Sequence, residues 1–147
     1  MRVWRISNHE DLSGRGGLLF AGRWNRLGTP IVYTADHPAT AMLETLAHLE
    51  WDRVPETYKL IQIDVPDGSS SYRVEVAGLP TAWRTDPSVT QAIGTDLLKR
   101  SEHLLIFVPS VLIPHAWNAL LNPLHADAGR CSITEVIESP FDARLIR

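Results

Sequence analysis

Apolar residues recur along this chain with two different spacings, and the spacings divide it into elements. In "YKLIQIDV" (58–65) they alternate, which puts Ile61, Ile63 and Val65 on one face of a half-buried strand. The short apolar runs "VWRI" (3–6), "PIVYTA" (30–35), "HLLIFVPS" (103–110), "SITEVIES" (132–139) and "RLIR" (144–147) predict further strands. Helical spacing takes over in two places. Ala39, Met42, Leu43, Leu46 and Leu49 fall on one stripe and predict a helix over 38–50, capped by Asp36 or His37 and started by Pro38, a residue tolerated in the first turn. Val89, Ala92, Ile93 and Leu97 predict a second helix, from Asp86-Pro87 to about Arg100. "SGRGG" (13–17) predicts a flexible turn and "PDGSSS" (66–71) a loop. Residues 72–86 are weakly patterned, and 113–129, "IPHAWNALLNPLHADAG", read as irregular and turn-rich. Strands outnumber helices without a clean βαβ alternation, which predicts an α+β fold.

Composition narrows the class without naming a function. At 147 residues, with no repeat or linker, the chain predicts a single domain over 1–147 with a proper core. A net charge of −3 gives no basic footprint for nucleic acid. One cysteine, Cys131, cannot form an internal disulfide, and neither a signal-like apolar start nor an 18-residue apolar run occurs, so the expectation is a cytoplasmic protein. Five tryptophans are a rich supply, and Trp24, Trp51, Trp83 and Trp117 are candidates for a pocket or an interface.

Several chemistries drop out at once. The six histidines, at 9, 37, 48, 103, 115 and 125, have neither H-E-x-x-H nor cysteine spacing, so no metal site is expected. "SGRGG" lacks both the G-x-G-x-x-G spacing and a P-loop Lys-Ser/Thr, and no G-x-S-x-G elbow supports a serine hydrolase. The stretch "GRWNRLGTPIVYTADHPATAMLE" (22–44) spaces Arg23, Tyr33 and Glu44 about ten residues apart. Periodicity leaves these three open. Glu44 lies off the apolar stripe, with Thr40 and His48, where a solvated carboxylate pairing with His48 would also sit. Tyr33 fits a core or a sheet surface, and Arg23 fits a cation–π pair with Trp24.

The runs "WRIS", "GRWN", the tyrosine ten residues on, "AMLE", "VPS" and "WNALLNPLH" occur in an order that resembles the RES domain, the toxin half of bacterial RES–Xre toxin–antitoxin pairs. The resemblance spans nearly the whole chain, to the closing "RLIR". It implies an ADP-ribosyltransferase-like fold, similar to diphtheria toxin, with a mixed β core and few helices. It implies NAD+ as the molecule cleaved, with no further cofactor. Carried over by position, Glu44, Arg23 and Tyr33 are the implied catalytic residues, and Arg23, Tyr33, Ser110 and Asn122 the implied contacts to NAD+.

The implied function is a toxin that depletes NAD+ by splitting off nicotinamide, with water or phosphate as acceptor, and that an Xre-like antitoxin neutralises. The alternative is a mono-ADP-ribosyltransferase acting on a metabolic protein. Met42, two residues before Glu44, replaces the Glu or Gln that many arginine-directed transferases carry there. A third class is a module that binds without turnover. Membrane contact is not expected, DNA contact would belong to the antitoxin, and the family implies self-association.

The chemistry suits these residue types. Arginine recognises phosphate oxygens or ribose hydroxyls with a planar fork. A tyrosine face stacks on nicotinamide. One carboxylate stabilises the positive charge that develops on the ribose. Glycosidases need a second carboxylate to protonate their leaving group, but nicotinamide leaves neutral without a proton.

Overall fold

A computed structural model describes residues 1–50 and 55–146; Trp51 and Arg147, both invoked above, lie outside the described residues. The strands are β1 (Arg2–Ser7), β2 (Val32–Ala35), β3 (Lys59–Asp64), β4 (Ser71–Arg73), β5 (Leu105–Pro109), β6 (Trp117–Leu121) and β7 (Ser132–Glu138). They form one sheet in the order β4-β5-β6-β2-β1-β3-β7. β4 and β5 run parallel and the other neighbours antiparallel, so the sheet is mixed. The helices are α1 (Arg15–Leu19), α2 (Pro38–His48) and α3 (Pro87–Arg100). The α+β expectation is met. No described helix is long and apolar enough to cross a membrane.

Register assigns every side chain of the sheet to one of two faces, because successive residues of a strand point to opposite sides. On one face Val3 pairs with Ile63, and Val32 with Leu121, which in turn pairs with Leu105. These residues form a wholly apolar cluster with Ile61, Val65, Leu104 and Ala119. On the other face Tyr33 pairs with Leu120 and Leu120 with Ile106. Here Ile106, Val108 and Leu120 pack with Trp24, Trp83 and Leu98 of α3. The same face continues through Trp4, Ala35 and Asn118, which α2 covers.

Several elements differ from the pattern-based expectations. α1 stands where a flexible turn was expected. Its two glycines are poor helix formers, but backbone bonds from Gly28 N–H to the Gly17 carbonyl and from Ile31 N–H to the Gly14 carbonyl fix the segment from outside. β6 stands in the middle of the sheet, inside the stretch expected to be irregular. Ala119, Leu120 and Leu121 are covered on both faces, so they show no alternation, and the flanking prolines 114 and 123 made the run resemble a turn. The closing segment is a 3-10 turn, Ala143–Leu145, in place of a strand. Residues 72–86 hold β4's last two residues and two 3-10 turns, and they deliver Val74 and Trp83 to the core.

The largest correction concerns α2. Its predicted apolar stripe is not its buried face: Leu43 is 43% exposed and Ala39 is exposed, while Thr40 and Ala41 are buried. Met42, Leu46 and Leu49 are half-buried. The helix is turned so that the side bearing Thr40, Ala41 and Glu44 meets the sheet. His37 serves as its N-cap, with Nδ1 accepting the Ala39 N–H at 3.1 Å.

α3 behaves as expected, capped by Asp86 Oδ1 on the Ser88 N–H, and its inner face is shaped by the loop beneath it. A Cβ added at Gly94 would lie 1.9 Å from the Trp24 carbonyl oxygen, so only glycine admits the 22–26 loop here. Gly94→Ala is therefore expected to push that loop away at a cost of about 1–3 kcal/mol, read as a lower melting temperature with the sheet's circular dichroism retained.

Candidate active site

Glu44 reaches across from α2 to the sheet. Its Oε1 accepts a hydrogen bond from Ser110 Oγ at 2.7 Å and another from Asn118 Nδ2 at 2.8 Å. Ser110 lies just past β5 and is 3% exposed; its Oγ also accepts the backbone N–H groups of Leu112 and Ile113. The serine thus closes a turn and holds the carboxylate. Both donors fall on Oε1, which leaves Oε2 for a ligand. The i,i+4 pairing expected between Glu44 and His48 takes a different form: His48 Nδ1 lies 2.7 Å from the Glu44 carbonyl oxygen, not from the carboxylate.

Tyr33 stands on the sheet face that α2 covers. Its residue surface is 37% exposed, but its hydroxyl end is buried in the 20–26 loop. The hydroxyl donates to Asn25 Oδ1 at 2.6 Å and accepts the Trp24 N–H at 3.0 Å. Burial pushes the phenol up to about 12, offset only in part by the backbone N–H groups of Trp24 and Asn25 and by the positive charge of Arg23. Asn25, fully buried, ties the loop together. Its Oδ1 also accepts the Gly22 N–H at 2.9 Å, and its Nδ2 donates to the Phe20 and Arg26 carbonyls at 3.2 Å each. Gly22 must stay small, because a Cβ there would lie 2.5 Å from the Tyr33 hydroxyl.

Arg23 is anchored through Nη1 to the carbonyls of Arg84 at 3.3 Å and Trp83 at 3.5 Å. It is not stacked on Trp24; the cation over a Trp ring in this region is Arg84 on Trp83. α3 fixes the backbone on either side of it. Thr90 Oγ1 donates to the Arg23 carbonyl at 2.5 Å, and Gln91 Nε2 to that of Gly22 at 2.9 Å. The remaining donors of the guanidinium are left for a ligand.

These residues line one cavity of about 500 Å³, the size of an ordinary small-molecule site. Arg23, Tyr33, Glu44 and Asn118 share its wall with Trp4 and Trp24, and the surface between the polar groups is mostly apolar. Arg5 also borders it, but its guanidinium donates to the Asp11 carbonyl at 3.1 Å and to Ser7 Oγ at 2.9 Å. Burial lowers Arg5 from its usual range, and the Asp11 carboxylate offsets part of that.

A model of the RES domain matches residues 2–142. The chain belongs to the RES domain family. It is similar to "Toxin Res" of Pseudomonas putida, 41% identical over 147 residues that cover 99% of each chain. It is also similar to the "Prs ADP-ribosylating toxin" of a Sphingobium species, 37% identical over 154 residues covering 98% of this chain and 96% of that one. Its fold matches a chain of the M. tuberculosis MbcT–MbcA toxin–antitoxin complex with a TM-score of 0.73, at 22% identity, over 93% of this chain and 82% of the other.

Within this RES domain, Arg23, Tyr33 and Glu44 come together in the cavity, and Ser110 joins them through Glu44. Asn122 does not. It is fully buried at the end of β6, where Nδ2 donates to the carbonyls of Leu98 at 3.0 Å and His103 at 3.3 Å, and Oδ1 accepts the Leu124 N–H at 3.0 Å. Sequence reasoning missed Asn118 and Asn25. Both sit inside motifs already noted, "WNALLNP" and "GRWN", but nothing in their spacing says which neighbour they hold. The one hydrogen bond between a serine hydroxyl and a histidine ring among the described residues is no catalytic dyad. His125 Nδ1 accepts the Asp127 N–H, so Nε2 carries the proton and donates to Ser70 Oγ.

Two outcomes test this description. Asn122→Ala is expected to cost about 1–3 kcal/mol, because it leaves buried carbonyls without donors. Ligand binding per folded molecule should not change, as measured by thermal melting and calorimetric titration. Tyrosinate absorbance should show one late step near pH 12 that Tyr33→Phe removes. Unfolded tyrosine titrates near 10, so the protonated Tyr33 stabilises the fold fully below about pH 10, and that contribution is lost as pH rises towards 12.

Proposed function

We propose that this RES domain is the toxin of a toxin–antitoxin pair and that it cleaves NAD+ at the nicotinamide–ribose bond. The observation that carries the reading is the Glu44 carboxylate, tethered by Ser110 and Asn118 through one oxygen, in a cavity shared with an aromatic face and an arginine. In this reading Arg23 takes the pyrophosphate or a ribose hydroxyl through its unanchored donors. The Tyr33 ring stacks on nicotinamide, and its buried hydroxyl keeps the ring at a fixed angle. Glu44 Oε2 lies against the ribose and stabilises the oxocarbenium-like charge that builds as the bond breaks. Nicotinamide departs with the bonding pair as a neutral molecule, so no second carboxylate is required. The NAD+ consumed is that of the cytoplasm.

An Xre-like antitoxin is the proposed partner, laying a segment across the cavity mouth, and the complex is proposed to contain a homodimer of the toxin. Support for a partner comes from the toxin–antitoxin complex that shares the fold. The second reading, transfer of ADP-ribose to a metabolic protein, is favoured by the name of the Sphingobium relative. It uses the same cavity and differs only in the acceptor.

Proton NMR of NAD+ with purified protein, in buffers with and without phosphate, decides between these readings. Wild type is expected to release free nicotinamide, and Glu44→Gln, which keeps the shape and removes the charge, to be slower by about 100- to 1000-fold. Intact NAD+ in every buffer, together with labelled protein in a lysate given labelled NAD+, would replace cleavage by the transferase reading.

A further inference from the structure

Beyond Glu44, the cavity wall carries a second group suited to proton transfer. Thr40, Glu44 and His48 are spaced four apart on α2 and share one stripe. Exposure rises along it: Thr40 is buried beneath the helix, and Glu44, half-buried, and His48, exposed, both line the cavity, with His48 towards its mouth. His48 lies about 6 Å further along the helix axis than Glu44, at ~1.5 Å per residue. Its tautomer follows from its contact. Nδ1 is 2.7 Å from the Glu44 carbonyl oxygen, which only accepts, so Nδ1 carries the proton and Nε2 presents a lone pair.

The other histidines differ. His37 uses Nδ1 as a helix cap, and His125 has its Nε2 protonated towards Ser70. His103 stacks on Tyr72, away from the cavity. Of the six histidines, His48 is the one in the cavity wall. Among the described residues, the titratable and charged groups sharing that wall are Glu44 on its own helix, Arg5 on β1, Arg23 and Tyr33, and Tyr58 before β3. The arginines hold no lone pair to offer and a phenol is a far weaker proton acceptor than a carboxylate or an imidazole, which leaves Glu44 and His48 as the acceptors of a proton among these groups.

We propose that His48 is the general base that deprotonates a hydroxyl acceptor, water or an alcohol, as it attacks the ribose. The inference rests on the NAD+-cleaving reading above. In the step, the acceptor oxygen forms a bond to the anomeric carbon and the carbon–nitrogen bond breaks. Nicotinamide leaves with the bonding pair, and the acceptor's proton passes to Nε2 of His48 and then to solvent. Glu44 keeps its charge throughout to stabilise the ribose. A division of labour follows: Glu44 is needed for every acceptor, and His48 only for acceptors that carry a proton.

Acceptor choice therefore tests it. Nicotinamide release is measured by proton NMR for wild type, His48→Ala and His48→Gln, first with water alone and then with added azide, an anion that attacks without losing a proton. Both variants should hydrolyse NAD+ about 100-fold more slowly, and azide should restore release, with ADP-ribosyl azide as product. Azide should not restore Glu44→Gln. Hydrolysis unchanged in both variants overturns the proposal, as does a loss that azide leaves in place, which would mean a structural role. A wild type that releases no nicotinamide with any acceptor removes the underlying reading, and this one with it.

Discussion

The two hydrogen bonds on Glu44 Oε1 set how α2 sits on the sheet. A carboxylate brought half out of water is costly unless donors meet it, and here Ser110 and Asn118 supply two neutral ones from the end of β5 and from β6. That tether turns the polar side of α2 inward. It leaves Ala39 and Leu43 facing water, although their spacing marks them as core.

A cavity persists beside α2 because the wall opposite is independently rigid. The 20–26 loop is held from within by Asn25, from below by the Tyr33 hydroxyl and from above by Thr90, Gln91 and Gly94 of α3. Neither wall depends on the other's contacts, so they can stand apart with a ligand-sized gap between them. The opposite face of the sheet shows no such division: Val3, Ile61, Ile63 and Leu121 pack as plain core. One face of the sheet is plain core, and the other divides between the core under α3 and the site under α2.

Much of this was legible in the chain itself. Alternation at Ile61, Ile63 and Val65 marks β3, and Asp86-Pro87 with the residues that follow marks α3, because local spacing and capping chemistry suffice for each. β6 was not legible. A strand covered on both faces and flanked by prolines has no alternation to display, and its place between β2 and β5 is a long-range fact. Arg23, Tyr33, Glu44 and Ser110 were readable from ordered motifs. Asn122, from the same motifs, has an amide fully occupied by Leu98, His103 and Leu124.

By itself, the sequence determined the α+β class and most element positions, since these follow from periodicity and caps carried within short segments, while the candidate site residues came from ordered motifs that resemble the RES domain. Only the tertiary structure decided which way α2 faces and what holds its carboxylate. Periodicity places Glu44 opposite the apolar stripe but says nothing of what the sheet offers there. Asn118 and Ser110 lie 74 and 66 residues away along the chain, and only folding brings their donors to one oxygen.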